Sequence, residues 1–208
     1  HRGTLVAPDS SWTSVMSTTG WVTWNSNWNI ICNSGMMVME SAMMEDEPEL
    51  CKEIMDYGLK SLRYYTPAFY PDGAALESLG YLTVILSDFA RLMSTMTLTY
   101  GTTYGILEAP GISQMPYVIA YLTGPVGINN FGDAGLSKSV QPAETMMFAR
   151  LLGDRDLAQL RINEVERGVS VLETMDFLWY APDSERGSVK LEQDRYFRVG
   201  ETGSMRSS

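Results

Sequence analysis

Helical periodicity dominates this chain. Over residues 28–44 the apolar side chains recur at spacings of three and four, the pattern of an amphipathic helix. A second helix is predicted over 48–65, with proline and acidic residues in its first turn, and a third over 75–99. Successive helices of this kind fit the hairpins of an (α/α) toroid, so we expect a mainly α fold. Shorter helices are predicted over 113–122, 142–152 and 154–161, with one more ending near Leu178, and core positions are predicted for Met36, Met37, Met39, Met43 and Met44.

Two segments depart from the helical pattern. Residues 124–135 hold too many glycines for regular structure, and loops of that length in a compact domain are usually functional. Residues 196–206 have the composition of β-strands, with a turn predicted at Gly203. The chain starts at His1 rather than Met and stops just after this strand-like stretch. We therefore expect an excerpt of a longer polypeptide that opens a β domain without completing it.

The composition is that of a globular protein and argues against several functions. With a net charge of −10 the chain is poorly suited to a nucleic acid, because phosphate contacts need clustered cations. The longest charge-free stretch, 109–132, is broken by proline and glycine, so no membrane-spanning helix is predicted. Cys32 and Cys51 are too few for a metal site of four thiolates. We expect two buried free thiols, although the spacing alone leaves a disulfide open.

Three amides surround a tryptophan near the start of the first predicted helix. Asn25, Asn27 and Asn29 flank Trp28, and asparagine often caps the free N–H groups of a helix N-terminus. The same residues also suit carbohydrate, because amides hydrogen-bond a sugar carboxylate and an indole stacks on the face of a pyranose. Both interpretations stay open at this point. The density of indoles here favours a sugar-stacking cleft, since the same stretch also holds Trp12, Trp21 and Trp24.

A second group of candidate residues is acidic or phenolic. Glu77 and Tyr81 lie four residues apart, so on a helix they would share a face. A tyrosine serves as a base only where a cation or strong hydrogen bonds stabilise its phenolate. Glu77 could instead pair with Asp72 or Asp133 as the acid and base of a glycosidase, although both aspartates also suit local turns. Arg206 could bind a sugar carboxylate through two hydrogen bonds, or be an exposed charge at a strand end.

Taken in order, four motifs of the chain resemble the heparinase II/III-like polysaccharide lyases, a family that includes oligoalginate lyases. The likeness extends over nearly the whole chain from about Trp21, and the order of the motifs carries it more than any one of them. The motifs are Asn27-Trp28-Asn29 with Cys32, Gly35 and Asp46-Glu47-Pro48; Tyr70-Pro71-Asp72-Gly73 with Glu77, Gly80 and Tyr81; Tyr104-Gly105, Pro110-Gly111, Gly124-Pro125 and Phe131-Gly132-Asp133; and Tyr196-Phe197 to Arg206-Ser207-Ser208.

The resemblance implies a fold, an activity and roles for residues. Residues 1–185 would be the C-terminal part of an incomplete toroid, and residues 186–208 the first strand or strands of a β-sandwich, cut short. The family cleaves uronic-acid-containing polysaccharides by β-elimination, in bacteria as secreted or periplasmic enzymes. Asn27 would hydrogen-bond the uronate carboxylate, and Tyr81 would protonate the leaving glycosidic oxygen and, for some sugar epimers, remove the C5 proton. The implied substrate-binding residues are Asn25, Trp28, Asn29, Glu77, Asp133 and Arg206.

The resemblance also implies what lies elsewhere in the polypeptide. The family's catalytic histidine and any structural metal belong to the rest of the sandwich, whereas the single histidine here is His1. We therefore expect no cofactor or metal in this segment, and little or no activity from it alone. Its expected partners are an acidic polysaccharide or oligosaccharide and the remainder of the sandwich. The family's second motif often continues Gly-Pro-Gly-Tyr-Trp, but this chain has Ser78-Leu79-Gly80-Tyr81-Leu82 and so lacks one aromatic subsite.

Two other functions remain open from the residues. One is a glycoside hydrolase on an α/α scaffold, with Glu77 and Asp133 as the carboxylate pair. The other is a carbohydrate-binding protein that has kept the cleft and lost the chemistry. A hydrolase would release saturated sugars and lose activity in Glu77→Gln, whereas a binding protein would hold its ligand without turnover.

Overall fold

The structure, a computed structural model, describes residues 20–124, 127–129, 131–133, 141–180, 189 and 191–205. This described part is mainly helical, which confirms the prediction of a mainly α protein. Short 3₁₀ turns occur at Gly20–Val22, Thr66–Phe69 and Ile112–Gln114. The α-helices are α1 (Asn27–Met43), α2 (Pro48–Leu62), α3 (Leu79–Tyr100), α4 (Met115–Leu122), α5 (Glu144–Leu152), α6 (Arg155–Glu166) and α7 (Thr174–Trp179).

The described strands form two small antiparallel pairs. Strands β1 (Thr123–Gly124) and β2 (Gly127–Ile128) pair inside the glycine-rich segment, so the prediction that this segment lacks regular structure is wrong there. Strands β3 (Asp194–Phe197) and β4 (Thr202–Met205) form a hairpin, which confirms the predicted strand segment. Its turn spans 198–201 rather than Gly203, which pairs with Tyr196 inside the ladder.

The chain divides into two compact units. Unit 1 comprises residues 1–68 and 88–109, and unit 2 comprises residues 69–87 and 110–208. Helix α3 contributes its first part, 79–87, to unit 2 and its remainder to unit 1. None of the helices in the described ranges is long and apolar enough to cross a bilayer.

In unit 1, helices α1 and α2 pack on each other through an unexpectedly polar surface. Asn29, Asn33 and Ser61 are all buried, and the Asn33 amide donates to Ser61 Oγ at 2.8 Å. Met37 is fully buried, but Met39 is 55% exposed, so the prediction that all five methionines pack in the core is wrong. These buried amides donate to α2, to the turn before α1 and, for Asn33, to the Asn29 carbonyl, so the inward face accommodates polar side chains.

Both cysteines of the described part are free thiols, as expected, and both lie in unit 1. Cys51 is buried and donates a hydrogen bond to the Glu40 carbonyl, whereas Cys32 is only half-buried. Burial is the main reason that the pKa of each thiol lies above its ordinary value. Both therefore behave as small apolar side chains rather than as reactive thiolates.

In unit 2, helix α5 packs on α6 and α7, and α4 contacts α6 and β4. Helix α6 begins at a capping aspartate, Asp154, which accepts hydrogen bonds from the amides of Asp156 and Leu157. Asp154 also accepts a hydrogen bond from the Tyr117 hydroxyl of α4 at 2.7 Å. One carboxylate therefore fixes both the start of α6 and its position against α4.

Candidate functional site

Asn27 opens helix α1 in unit 1 with a side chain that caps nothing. The N-cap is Ser26, and no side-chain capping bond forms there, so the capping interpretation of these asparagines is wrong. Asn27 is 8% exposed, and its amide makes no hydrogen bond to another described residue. Its neighbours Asn25 and Trp28 are exposed, Trp28 to 57%. Asn27 thus retains hydrogen-bonding capacity beside an accessible indole.

Asn29, by contrast, is committed to the fold. It is fully buried, and its amide nitrogen donates to the carbonyls of Trp21 and Val22 at 3.0 Å and to Ser61 at 3.2 Å. These bonds tie the 3₁₀ turn before α1 to helix α2. Because its donors are all engaged inside unit 1, Asn29 serves as a structural residue.

The turn at residues 70–73 in unit 2 gathers three of the sequence motifs. Asp72 accepts hydrogen bonds from the backbone amides of Ala74 at 3.4 Å and Arg198 at 2.6 Å, and so joins the β3–β4 hairpin to the turn. Gly111 lies so close to Phe69 that a Cβ would overlap the Phe69 carbonyl oxygen, and its φ is +92°. Only glycine fits both restrictions, which explains the glycine of the third motif.

Tyr81 lies in the first turn of α3, beside this junction. Ser78 accepts a hydrogen bond from the Tyr81 amide at 3.4 Å, as an N-cap residue does, and is itself buried. The Tyr81 ring is 38% exposed, and its hydroxyl makes no hydrogen bond to another described residue. A Cβ on Gly132 would lie 3.5 Å from the Ser78 nitrogen, so the 131–133 segment rests against the start of α3 and brings the exposed Asp133 nearby.

Glu77 does not share a helix face with Tyr81. Helix α3 begins at Leu79, because Ser78 caps it, and Glu77 precedes it. The prediction from their four-residue spacing is therefore wrong. Glu77 instead lines a cavity with room for about one water molecule, too small for a sugar ring. The other lining residues are Ala74, Ala75, Leu79, Leu82, Val118, Leu122, Phe131, Phe197, Gly200 and Thr202.

The structure distributes the remaining candidates as follows. Asn25, Asn27, Trp28 and Asn29 belong to unit 1, and the other described candidates, Glu77, Tyr81 and Asp133, belong to unit 2. Arg206 lies outside the described residues. Among the described residues there is no group of three or more His, Cys, Asp or Glu side chains that could hold a metal ion.

A buried carboxyl group in unit 1 lies apart from these candidates. Glu40 is 1% exposed, and the Tyr100 hydroxyl donates to its two carboxyl oxygens at 2.9 and 3.1 Å. No lysine or arginine of the described residues pairs with it. Burial raises the pKa of the Glu40 carboxyl despite this hydrogen bond, and burial and the Glu40 contact raise the pKa of Tyr100 to about 12.

This environment predicts a pH-dependent stability. A carboxyl whose pKa is raised by folding stabilises the protein fully below its unfolded pKa, and the contribution is lost as the pH rises through the folded pKa. As the pH rises from the ordinary carboxyl range through the raised pKa of Glu40, wild type should therefore lose unfolding free energy relative to Glu40→Gln. Urea unfolding at several pH values measures the difference, with Glu53→Gln as the control for losing one negative charge. A difference independent of pH would contradict the prediction.

Two comparisons with known proteins gave no relative. No protein-family model matches the chain, and no curated protein matches it.

Proposed function

We propose that this chain is a segment of a polysaccharide lyase that cleaves uronic-acid-containing polysaccharide by β-elimination. One observation carries the proposal. In unit 2 the turn at 70–73, the 131–133 segment and the β3–β4 hairpin converge near the first turn of α3, where Tyr81 keeps a hydroxyl that engages no described residue. A phenol in such a position is available to transfer a proton to or from a sugar.

The proposed reaction assigns Asn27 and Tyr81 the roles that the resemblance implies for them. When a base removes the C5 proton of the uronate, negative charge develops on the carboxylate, and the Asn27 amide donates a hydrogen bond to it. The electron pair then forms the C4–C5 double bond while the C4–O glycosidic bond breaks. Tyr81 gives its proton to the departing oxygen. Trp28 would stack on the sugar, and the exposed amide of Asn25 would bind its hydroxyls.

The finer architecture is part of the same proposal. Helices α1 to α7 would be hairpins of an (α/α) toroid, with residues 1–185 in the toroid and residues 186–208 in the first strands of a β-sandwich. The β3–β4 hairpin supports this assignment because it is antiparallel and begins after the last described helix. The rest of the sandwich would supply the histidine base, and the enzyme would be secreted or periplasmic.

The ultraviolet absorbance of the reaction products tests the proposal. We expect the complete polypeptide to generate absorbance from a conjugated C4–C5 double bond with at least one of alginate, hyaluronan, heparan and glucuronan. Glu77→Gln should keep this product chemistry, since Glu77 is assigned no proton transfer. Cleavage without new absorbance, abolished by Glu77→Gln, would replace the proposal by hydrolysis. Binding without cleavage would instead indicate a carbohydrate-binding protein.

A further inference from the structure

Trp24 is an exposed aromatic residue that none of the roles above uses. Its side chain is 49% exposed, whereas other large aromatic rings such as Phe69, Phe89 and Trp179 are buried. The adjacent Asn25 is also exposed, and Trp28 follows one residue into α1. A large ring with a polar rim is the surface composition that suits a sugar better than an apolar protein partner.

The indole of Trp24 packs directly on the backbone of Gly20. A Cβ on Gly20 would lie 2.6 Å from both Cε2 and Nε1 of the indole, well inside van der Waals contact. The ring therefore rests directly on the Gly20 backbone, where any side chain would displace it. Gly20 is not among the residues with positive φ, so an alanine there would disturb the ring without straining the backbone.

The 3₁₀ turn Gly20–Val22, on which the indole packs, is held by buried hydrogen bonds. The Asn29 amide donates to the carbonyls of Trp21 and Val22, and the Ser61 hydroxyl donates to Val22 at 2.5 Å. These contacts fix the backbone between Gly20 and Trp24 to both α1 and α2. A ring held in place before binding loses little conformational entropy when a ligand covers it, which favours affinity.

We propose that Trp24 is a second stacking residue, which binds one pyranose ring of an oligosaccharide next to the ring that Asn27 and Trp28 hold. This inference rests on the proposed function, because that function supplies the carbohydrate. The indole would contact the C–H face of the sugar, and Asn25 would hydrogen-bond a hydroxyl at its edge. Stacking needs no cation, so it suits a chain whose net charge is −10.

Calorimetric titration tests the role of Trp24. The complete polypeptide with Tyr81→Phe, which suppresses turnover, would be titrated with hexasaccharides of alginate, hyaluronan, heparan and glucuronan. In that background Trp24→Ala should weaken binding of the best hexasaccharide about tenfold. Trp24→Phe should restore most of the affinity, and Gly20→Ala should weaken binding while leaving Trp24 present. Phe177→Ala, which removes a 71% exposed ring from unit 2, is the matched control and should leave affinity unchanged.

The outcomes separate this inference from the lyase proposal. Affinity within twofold of wild type in Trp24→Ala, or no binding of any hexasaccharide to the starting protein, overturns the role of Trp24. Loss of self-association rather than of sugar affinity in Trp24→Ala would also overturn it, in favour of a protein interface. If Trp24→Ala weakens binding but the wild-type polypeptide forms no unsaturated product, the stacking role stands and the lyase proposal fails.

Discussion

Tyr81→Phe in the complete polypeptide should form unsaturated product at least about a hundredfold more slowly than wild type. The substitution removes only the phenolic oxygen, and general acid catalysis by a positioned side chain typically contributes between about 10²-fold and 10⁴-fold. The loss should appear in kcat, because the proton moves in the transition state and not on binding. Initial rates of absorbance increase on the preferred polysaccharide measure it.

The control for this prediction separates chemistry from stability. The Tyr81 hydroxyl has no hydrogen bond within the described residues, so its removal should change the unfolding free energy by less than about 0.5 kcal/mol. Tyr180→Phe, at another exposed tyrosine of unit 2, should leave the rate unchanged. A Tyr81→Phe variant that retains most of the wild-type rate would remove Tyr81 from the mechanism.

Arg161→Leu should lower the unfolding free energy by about 3–5 kcal/mol, a large part of the total for an ordinary domain. Arg161 is fully buried in unit 2 and makes two hydrogen bonds to the buried Asp176, at 2.8 Å and 2.6 Å. Burial alone would lower the pKa of the guanidinium, but the hydrogen bonds and charge of Asp176 raise it above its ordinary value. Without Arg161, Asp176 would be left buried and unpaired, which costs more than the pair itself contributes.

The same guanidinium joins segments that are distant in sequence. It donates to the Gln141 and Val171 carbonyls at 2.8 and 2.9 Å and to Ser170 Oγ at 2.6 Å. Its loss should therefore loosen the connection between α6 and α7 as well as the start of α5. Urea unfolding measures the free energy of each variant, and amide hydrogen exchange in 170–180 reports the local effect.

Two further variants make the Arg161 prediction specific. Adding Asp176→Leu to Arg161→Leu should recover part of the lost stability, since it removes the unpaired charge. Lys52→Ala breaks the exposed Lys52–Asp56 pair in unit 1 and should leave the unfolding free energy nearly unchanged. A loss below about 1 kcal/mol in Arg161→Leu would show that the buried pair does not stabilise unit 2.

The sequence predicted local structure well wherever neighbouring residues decide it. Proline and acidic residues at 48–49 marked the start of α2, and the observed helix begins at Pro48. The period of three and four located α1 within a residue of its bounds. The third helix was the exception, because the capping serine at 78 shortens it by four residues relative to the predicted start at 75. Glu77 therefore lies before the helix rather than within it.

Candidate chemistry was predictable in its residue types but not in their roles. Asn27 and Asn29 look alike in the sequence, yet the side chain of Asn27 bonds to no described residue, whereas that of Asn29 bonds to a turn and a second helix. Nothing local distinguishes them, since the difference depends on which side of α1 faces α2. The capping role of Ser78 was predictable from its position three residues before Tyr81. The packing of the Trp24 indole on Gly20 was not.

By itself, then, the sequence determined the helical class, most helix bounds and the final strand segment, because periodicity, proline and capping chemistry act over a few residues. Tertiary structure alone decided which face of α1 is buried. There Asn29 and Asn33 are buried and donate hydrogen bonds, whereas Met39 is exposed. It also decided that Asp72 meets Arg198 and that Arg161 meets Asp176. Such contacts depend on how whole elements pack, and local sequence patterns carry no information about partners so far along the chain.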